Sequence, residues 1–282
     1  MPTDIRTLID EGAARLARRG DDPRRDAEIL LGAALGLGRA QLYARMDEVV
    51  TDCDATDRYE ALVTRRARGV PVAHLLGVRE FWSLALAVTP AVLVPRPETE
   101  LLVERAIAHL PPGVPLDVLD LGTGSGAVGL AIASERPACR VECSDVSPEA
   151  IAVATRNAGT LGLANVRFLT GDWFAPCAGR RYDLVAGNPP YIADGDARVA
   201  PDVHRHEPQI ALYAGPTGLE AIARIVADAP AHLRPGGVLA LEHGDRQGPD
   251  VRQRLAAAGF VDVATYRDLA GLERCTEGRR PR

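Results

Sequence analysis

Asp120-Leu121-Gly122-Thr123-Gly124-Ser125-Gly126 closes a stretch with strand character (116–121) and opens a helical one (127–135). Glycines at a strand-to-helix turn let backbone N–H groups approach a ligand and leave the helix N-terminus facing it. Outward from this turn, strands predicted at 140–144, 166–170, 182–186 and 238–242 alternate with helices predicted at 98–110, 148–161 and 219–233. Such alternation predicts an α/β fold, a mainly parallel sheet covered by helices on both faces. The tail breaks the pattern: 260–264 and 272–276 read as strands with no helix between them, an antiparallel hairpin at one edge of the sheet.

Upstream, residues 1–75 read as helices only. Ile5, Leu8, Ile9 and Leu16 recur at helical spacing, and Asp22-Pro23 supplies an N-cap followed by proline at the first helical position. Ala27, Leu30, Leu31 and Ala34 share one face of the helix that follows. Further helices are predicted at 40–45 and 54–68, the last stopped by Gly69 and Pro71. Its end, Arg65-Arg66-Ala67-Arg68, is expected to be solvated, with arginine favourable at that pole of the helix dipole. Alternating apolar residues (Leu84, Leu86, Val88) then lead into Val94-Pro95-Arg96-Pro97, read as a hairpin linker. Three segments are expected: a helical domain 1–75, a β-hairpin linker 76–94, and the α/β domain 95–282.

The 282 residues are 46% hydrophobic and 25% charged, which excludes wholesale disorder. All 33 basic side chains are arginine, and the net charge is −5. An acidic balance argues against bulk nucleic acid as the main partner, although a local arginine patch remains compatible with it. The five cysteines are an odd, scattered set without a C-x-x-C pair, so neither a disulfide framework nor a zinc site is expected. Cys139 and Cys143 flank Val141 in a strand and are expected to pack as small hydrophobes. The start Met1-Pro2-Thr3-Asp4 has no leader pattern, and no apolar run approaches the ~18 residues of a membrane span, so a cytoplasmic protein is expected. His204-Arg205-His206 lacks further ligands at metal-binding spacing and is expected to be a loop near the site, ordered by Glu207-Pro208; no metal is expected.

Asp145 follows Gly126 by nineteen positions at the end of the second predicted strand, where a carboxylate can accept both ribose hydroxyls of an adenosine cofactor. Gly122, Gly124 and Gly126 do not have the G-x-G-x-x-G spacing, which disfavours a pyrophosphate; a nicotinamide cofactor and S-adenosylmethionine both stay open here. Asp172-Trp173 ends the third strand with an acceptor for an adenine amino group beside an aromatic face. Asn188-Pro189-Pro190-Tyr191 ends the fourth. Its prolines stiffen the turn and have no N–H, so an Asn oxygen and a backbone carbonyl can hold the two hydrogens of a planar NH₂ group with the Tyr ring against it.

In this order the motifs resemble class I methyltransferases that modify planar nitrogens. Gly77-Val78-Arg79-Glu80-Phe81-Trp82, the stretch from Pro95-Arg96-Pro97-Glu98-Thr99-Glu100 to Val103, and Glu207-Pro208 resemble one family among them, the release factor glutamine methyltransferases. The resemblance covers essentially the whole chain. It implies a Rossmann-like domain that takes S-adenosylmethionine and methylates the side-chain nitrogen (N5) of the Gln in the Gly-Gly-Gln motif of peptide chain release factors. By position it implies that Gly122, Thr123, Gly124, Ser125 and Gly126 line the methionine and ribose end of the cofactor. Asp145 would take the ribose, and Asp172 and Trp173 the adenine. Asn188, Pro189, Pro190 and Tyr191 would hold the Gln, with catalytic roles on Asn188, Pro189 and Tyr191 and with Asn188 also against the cofactor. Release factors are then the implied partners, with no direct nucleic-acid binding, no membrane, and no signal for an oligomeric state. Rivals are an amino-methyltransferase acting on adenine or guanine, a ribosomal-protein glutamine methyltransferase, and a non-catalytic docking module.

Overall fold

A computed structural model describes residues 3–18 and 22–282. The beginning of the expected helical domain, Met1-Pro2, lies outside them. The described chain forms two units: one runs up to Val78 and adds Pro201–His206, and the other comprises Arg79–Ala200 and Glu207–Arg282.

The first unit packs α1 (Ile5–Leu16), α2 (Pro23–Leu35), α3 (Arg39–Ala44), α4 (Cys53–Ala67) and α5 (Val72–Leu76). Asp4 and Asp22 cap α1 and α2 by accepting from the N–H groups of Thr7 and Arg25, at 2.7 and 3.0 Å. Ile9, Leu16, Leu30 and Leu31 are fully buried, as their helical spacing requires. Tyr59 crosses this core to donate to the Leu8 carbonyl at 2.9 Å; a Cβ at Gly12 would lie 1.9 Å from its hydroxyl oxygen, so glycine there makes the room. Two departures from the sequence reading stand out. The unit is not purely helical, because β1 (Thr3–Asp4) pairs with β2 (Val49–Val50). Nor is the arginine run uniformly solvated: Arg66 is buried and bonds Asp26 at 2.7 Å, because the helical period turns it inward between exposed Arg65 and Arg68.

In the second unit a hairpin, β3 (Val78–Phe81) and β4 (Leu84–Ala87), precedes α6 (Glu100–Ala108). Then follow β5 (Asp117–Leu121), α7 (Ala127–Glu135), β6 (Arg140–Asp145), α8 (Pro148–Leu161), β7 (Val166–Thr170) and β8 (Tyr182–Gly187). After β8 the chain passes through α9 (Pro201–His206), which belongs to the first unit, and continues in the second with α10 (Gln209–Leu212), α11 (Glu220–His232), β9 (Leu233–Glu242) and α12 (Gly248–Ala257). The last strands are β10 (Val261–Arg267) and β11 (Glu273–Arg279). The sheet order is β7-β6-β5-β8-β9-β11-β10, with the first five strands parallel and β11 antiparallel to both its neighbours. The expected edge hairpin is therefore present, with β11 inserted next to β9. Helix α12, unforeseen in the sequence, and the helix α9 in place of the expected His204–His206 loop are the main differences.

Strand period two sorts the core. Val118, Leu184, Ala186, Val238 and Ala240 point to the layer of α6, α7 and α8. Leu119, Leu121, Val185, Leu239 and Leu241 point to α11 and α12. The layers are closed by helices that carry matching apolar faces, and the carboxyl ends of the parallel strands are left to loops.

Candidate active site

Those loops surround a cavity of about 540 Å³, within the usual range for small-molecule and cofactor sites. After β5, Gly122, Gly124 and Gly126 all have positive φ (68°, 55° and 88°), which lets the turn reverse tightly. Nothing lies within 4 Å of a Cβ placed on Gly124, so the backbone is bare there. The N–H groups of Gly122 and Thr123 both donate to the Ser144 carbonyl at 2.9 Å, pinning the turn to β6. Gly126 does something different: its added Cβ would meet Leu130 Cδ1 at 2.8 Å and Ala154 Cβ at 3.2 Å, so it serves close helix packing.

Asp145 completes the clamp. Its Oδ2 accepts from Gly124 N and its Oδ1 from Ser147 N, each at 2.9 Å. Each oxygen keeps a further lone pair for a ligand hydroxyl. Behind the turn, Asp120 is buried; burial pushes its carboxyl up to about 6, against the Thr123 hydroxyl at 2.5 Å and the Gly129 N–H at 2.9 Å. After β7, Trp173 takes a left-handed conformation (φ 45°), and its Cζ3 stands 3.5 Å from where a Cβ on Gly122 would be. Asp172, about half exposed, pairs with Arg224 of α11 at 2.7 Å across the cavity wall.

After β8, Asn188 lines the cavity and donates through Nδ2 to Thr99 Oγ1 at 3.2 Å, which turns its oxygen end away from that contact. Gly122, Thr123, Gly124, Ser125, Asp145, Asp172, Trp173, Asn188 and Pro190 are brought together around one space. Gly126, Pro189 and Tyr191 are not among its lining residues. Pro189 is buried. The Tyr191 hydroxyl, instead of reaching across the cavity, donates to Glu242 Oε1 at 3.3 Å. Burial pushes the Glu242 carboxyl up to about 7; the Thr99 and Tyr191 hydroxyls and Arg274 oppose this, and Glu98 adds to it.

Sequence reasoning gave no site role to Pro95, Arg96, Thr99 or Glu242. Three of these lie in the proline-rich stretch read as a linker and its continuation, yet Pro95, Arg96 and Thr99 line the cavity. Buried Glu207 holds that stretch, accepting from Arg96 Nη2 at 2.5 Å and Val94 N at 3.3 Å. The signal was present in the charges of Arg96 and Glu207, but pairing across more than a hundred residues is not visible in a pattern. Bare glycine backbone beside a doubly bonded carboxylate and an aromatic face suits the ribose, amino-acid and adenine parts of S-adenosylmethionine. Among the described residues no cluster of His, Cys, Asp or Glu is arranged to hold a metal ion.

A sheet of this order with its cavity at the strand ends is the fold of the class I methyltransferases. Solved structures with the same fold include a methyltransferase from Pyrococcus furiosus (20% identity, TM-score 0.55, 79% of this chain and 98% of that one). A second is the Thermus thermophilus 16S rRNA N2 G1207 methyltransferase (20% identity, TM-score 0.54, 72% and 49%). Family models for the PrmC N-terminal domain and the Methyltransferase small domain match residues 7–77 and 98–205. The chain is 47% identical over 259 residues to the release factor glutamine methyltransferase of Escherichia coli (strain K12), covering 92% of this chain and 93% of that one. With that of Burkholderia pseudomallei (strain K96243) it shares 49% over 275 residues, covering 95% and 96%. The chain belongs to the release factor glutamine methyltransferase family.

Proposed function

We propose that the protein transfers a methyl group from S-adenosylmethionine to the side-chain amide nitrogen of the glutamine in the Gly-Gly-Gln motif of peptide chain release factors. The observation that carries this reading is Asn188: with its nitrogen held by Thr99, its oxygen is the end able to receive an N–H. Bound S-adenosylmethionine supplies an electrophilic methyl group. Asp145 and the backbone of Gly122, Thr123, Gly124 and Ser125 bind its ribose and methionine portions, and Asp172 and Trp173 its adenine. Asn188 Oδ1 takes one hydrogen of the target amide, and the carbonyl of Pro189, a buried residue beside the cavity and not in its lining, is the acceptor proposed for the other.

An amide nitrogen is a poor nucleophile because its lone pair is delocalised. Two acceptors on its hydrogens would favour pyramidalisation and stabilise the positive charge that grows on nitrogen as the N–C bond forms and the C–S bond of the sulfonium breaks, leaving S-adenosylhomocysteine, an effect strongest in the transition state. Holding the reactants in line removes an entropy barrier of up to ~7–11 kcal/mol. The N-methylated amide cation is strongly acidic and loses its proton late, so no strong base is required. Pro190 stiffens the turn, and Tyr191 supports it from behind through Glu242.

Residues 1–75 form the part that recognises the release factor, 76–94 a hairpin linker and 95–282 the methyl-transferring part. A Gly-Gly-Gln loop offers little side-chain surface, so recognition requires a second contact whose binding energy helps to place the loop. The protein works in the cytoplasm on protein and does not bind nucleic acid directly; among the described residues no helix is long and apolar enough to cross a membrane. Incubation with labelled S-adenosylmethionine and, separately, an intact release factor, its Gln→Ala form and nucleic acid tests the reading. Label is expected on the intact factor alone; label on nucleic acid overturns it.

A further inference from the structure

Glu242 stands behind Asn188 at the ends of neighbouring strands. Gly187 pairs with Leu241 in parallel register, so the next residues, Asn188 and Glu242, fall side by side. Ala186 and Ala240, two residues earlier, both point to the α6 layer, and period two turns Asn188 and Glu242 to that same face. Thr99, at the entrance of α6, lies in this layer and accepts from Asn188 Nδ2 at 3.2 Å. Glu242 is only 1% exposed and does not line the cavity, so it cannot touch the substrate. Its Oε1 accepts from the Tyr191 hydroxyl at 3.3 Å, its Oε2 makes no hydrogen bond among the described residues, and none joins it to Thr99 directly, although the Thr99 hydroxyl is near enough to favour its charged form.

Resting on the reading of Asn188 as the acceptor for the target amide, we propose that Glu242 is a positioning residue that sets the polarity of the Asn188 side chain through Thr99. A charged carboxylate next to Asn188 and the Thr99 hydroxyl favours the rotation of that hydroxyl that points its proton toward Glu242. Thr99 Oγ1 must then accept, and the group it accepts from is Asn188 Nδ2. Asn188 Oδ1 is thereby presented to the substrate. With a proton on Glu242 the chain can reverse: the carboxyl donates to Thr99, Thr99 donates to Asn188 Oδ1, and the rotated amide sets its NH₂ against the NH₂ of the target. A donor facing a donor cannot support transfer.

The groups that face Glu242 agree with a carboxyl that changes charge near neutrality. Glu98, on the turn before α6, disfavours its charge, while Arg274 of β11 and the Tyr191 hydroxyl favour it. Cys275, its register partner on β11, is buried and neutral: burial holds its thiol well above the usual range. The neighbouring His243 ring turns to Thr276 and the Gly244 carbonyl, at 2.8 and 2.9 Å, and takes no part.

The test compares single-turnover methylation of intact release factor from pH 6 to 9, with calorimetric binding of S-adenosylmethionine, for the full-length protein and its Glu242→Gln, Thr99→Val, Thr99→Ser and Asn188→Ala variants. The wild type is expected to lose rate as pH falls through about 7. Glu242→Gln, whose amide can donate to Thr99, is expected to lose that acid limb and to run roughly tenfold or more slower at high pH, with donor affinity unchanged. Thr99→Val is expected to lose the limb, and Thr99→Ser, which keeps the hydroxyl, to retain it. An acid limb and rate unaltered in Glu242→Gln overturn the proposal. Should Glu242→Gln fail to bind the donor through misfolding, a persistent limb in Thr99→Val overturns it equally. Near-normal turnover in Asn188→Ala instead overturns the reading of Asn188 itself, and separates that failure from failure of the relay.

Discussion

Replacing Asp145 by alanine removes one carboxylate that serves two purposes. Its oxygens accept from Gly124 N and Ser147 N at 2.9 Å, holding the glycine turn against the head of α8, and their remaining lone pairs are the proposed partners of the ribose hydroxyls. A hydrogen bond to a charged group contributes ~1.5–3 kcal/mol. Asp145 is only partly buried, so water can re-solvate the two released N–H groups, and the lower figure applies to each ribose contact. Two lost contacts then cost about 3 kcal/mol, or roughly 10²-fold in donor Kd. These contacts are made equally before and during reaction, so kcat at saturating donor should stay near normal while KM rises. Asp145→Asn is not conservative here, because both oxygens face N–H groups and an NH₂ at either position opposes a donor with a donor. It should weaken binding at least about tenfold. Calorimetric titration with S-adenosylmethionine, alongside initial rates at rising donor concentration, measures both quantities. A Kd for Asp145→Ala within about threefold of wild type would refute the reasoning and leave Asp145 only as the anchor of the turn.

Asn188→Ala should reduce single-turnover methylation by ~10²–10³-fold while donor Kd moves only a few-fold, because the lost acceptor faces the nitrogen that becomes charged. Glu277 tests the sheet edge: burial alone would raise its pKa, but His109 and Arg105 outweigh burial and hold it down at about 2. Its stabilising contribution of ~2–3 kcal/mol is therefore fully present above about pH 4.5 and is lost as pH falls toward 2. Urea unfolding of Glu277→Gln should show lower stability at neutral pH and a shallower loss of stability on acidification than wild type. A chain beginning at Leu76 should bind S-adenosylmethionine with wild-type affinity but methylate an intact release factor poorly, while retaining any weak activity on a short Gly-Gly-Gln peptide. Equal efficiency of the two chains on the intact factor would remove the recognition role of residues 1–75.

What could be read directly from the chain was local. The turn at 120–126, the alternation of strands and helices around it, and the carboxylate at Asp145 each depend on neighbours a few residues away. Helix α12 has no clear sequence signal because its apolar positions, Val251 and Leu255, are few and sit between polar residues. Arg66 is hidden for a similar reason: three arginines in four positions look like one solvated cluster, whereas helix rotation sends the middle one inward to Asp26. The proline-rich stretch declares only its stiffness in the sequence. Its place in the cavity wall depends on Glu207, more than a hundred residues later, and no local pattern carries that pairing. Tyr191 shows the converse: adjacency to Asn188 suggests a ring facing the substrate, while its hydroxyl goes to Glu242 instead.

The most direct measurement is mass-spectrometric mapping of the methyl group on a release factor treated with the protein and S-adenosylmethionine, by fragmentation of the peptide that carries Gly-Gly-Gln. A single added methyl on the glutamine side-chain nitrogen, absent when Asn188→Ala replaces the wild type, is the predicted result. A methyl group on any other residue, or an unmodified peptide beside methylated nucleic acid, contradicts it.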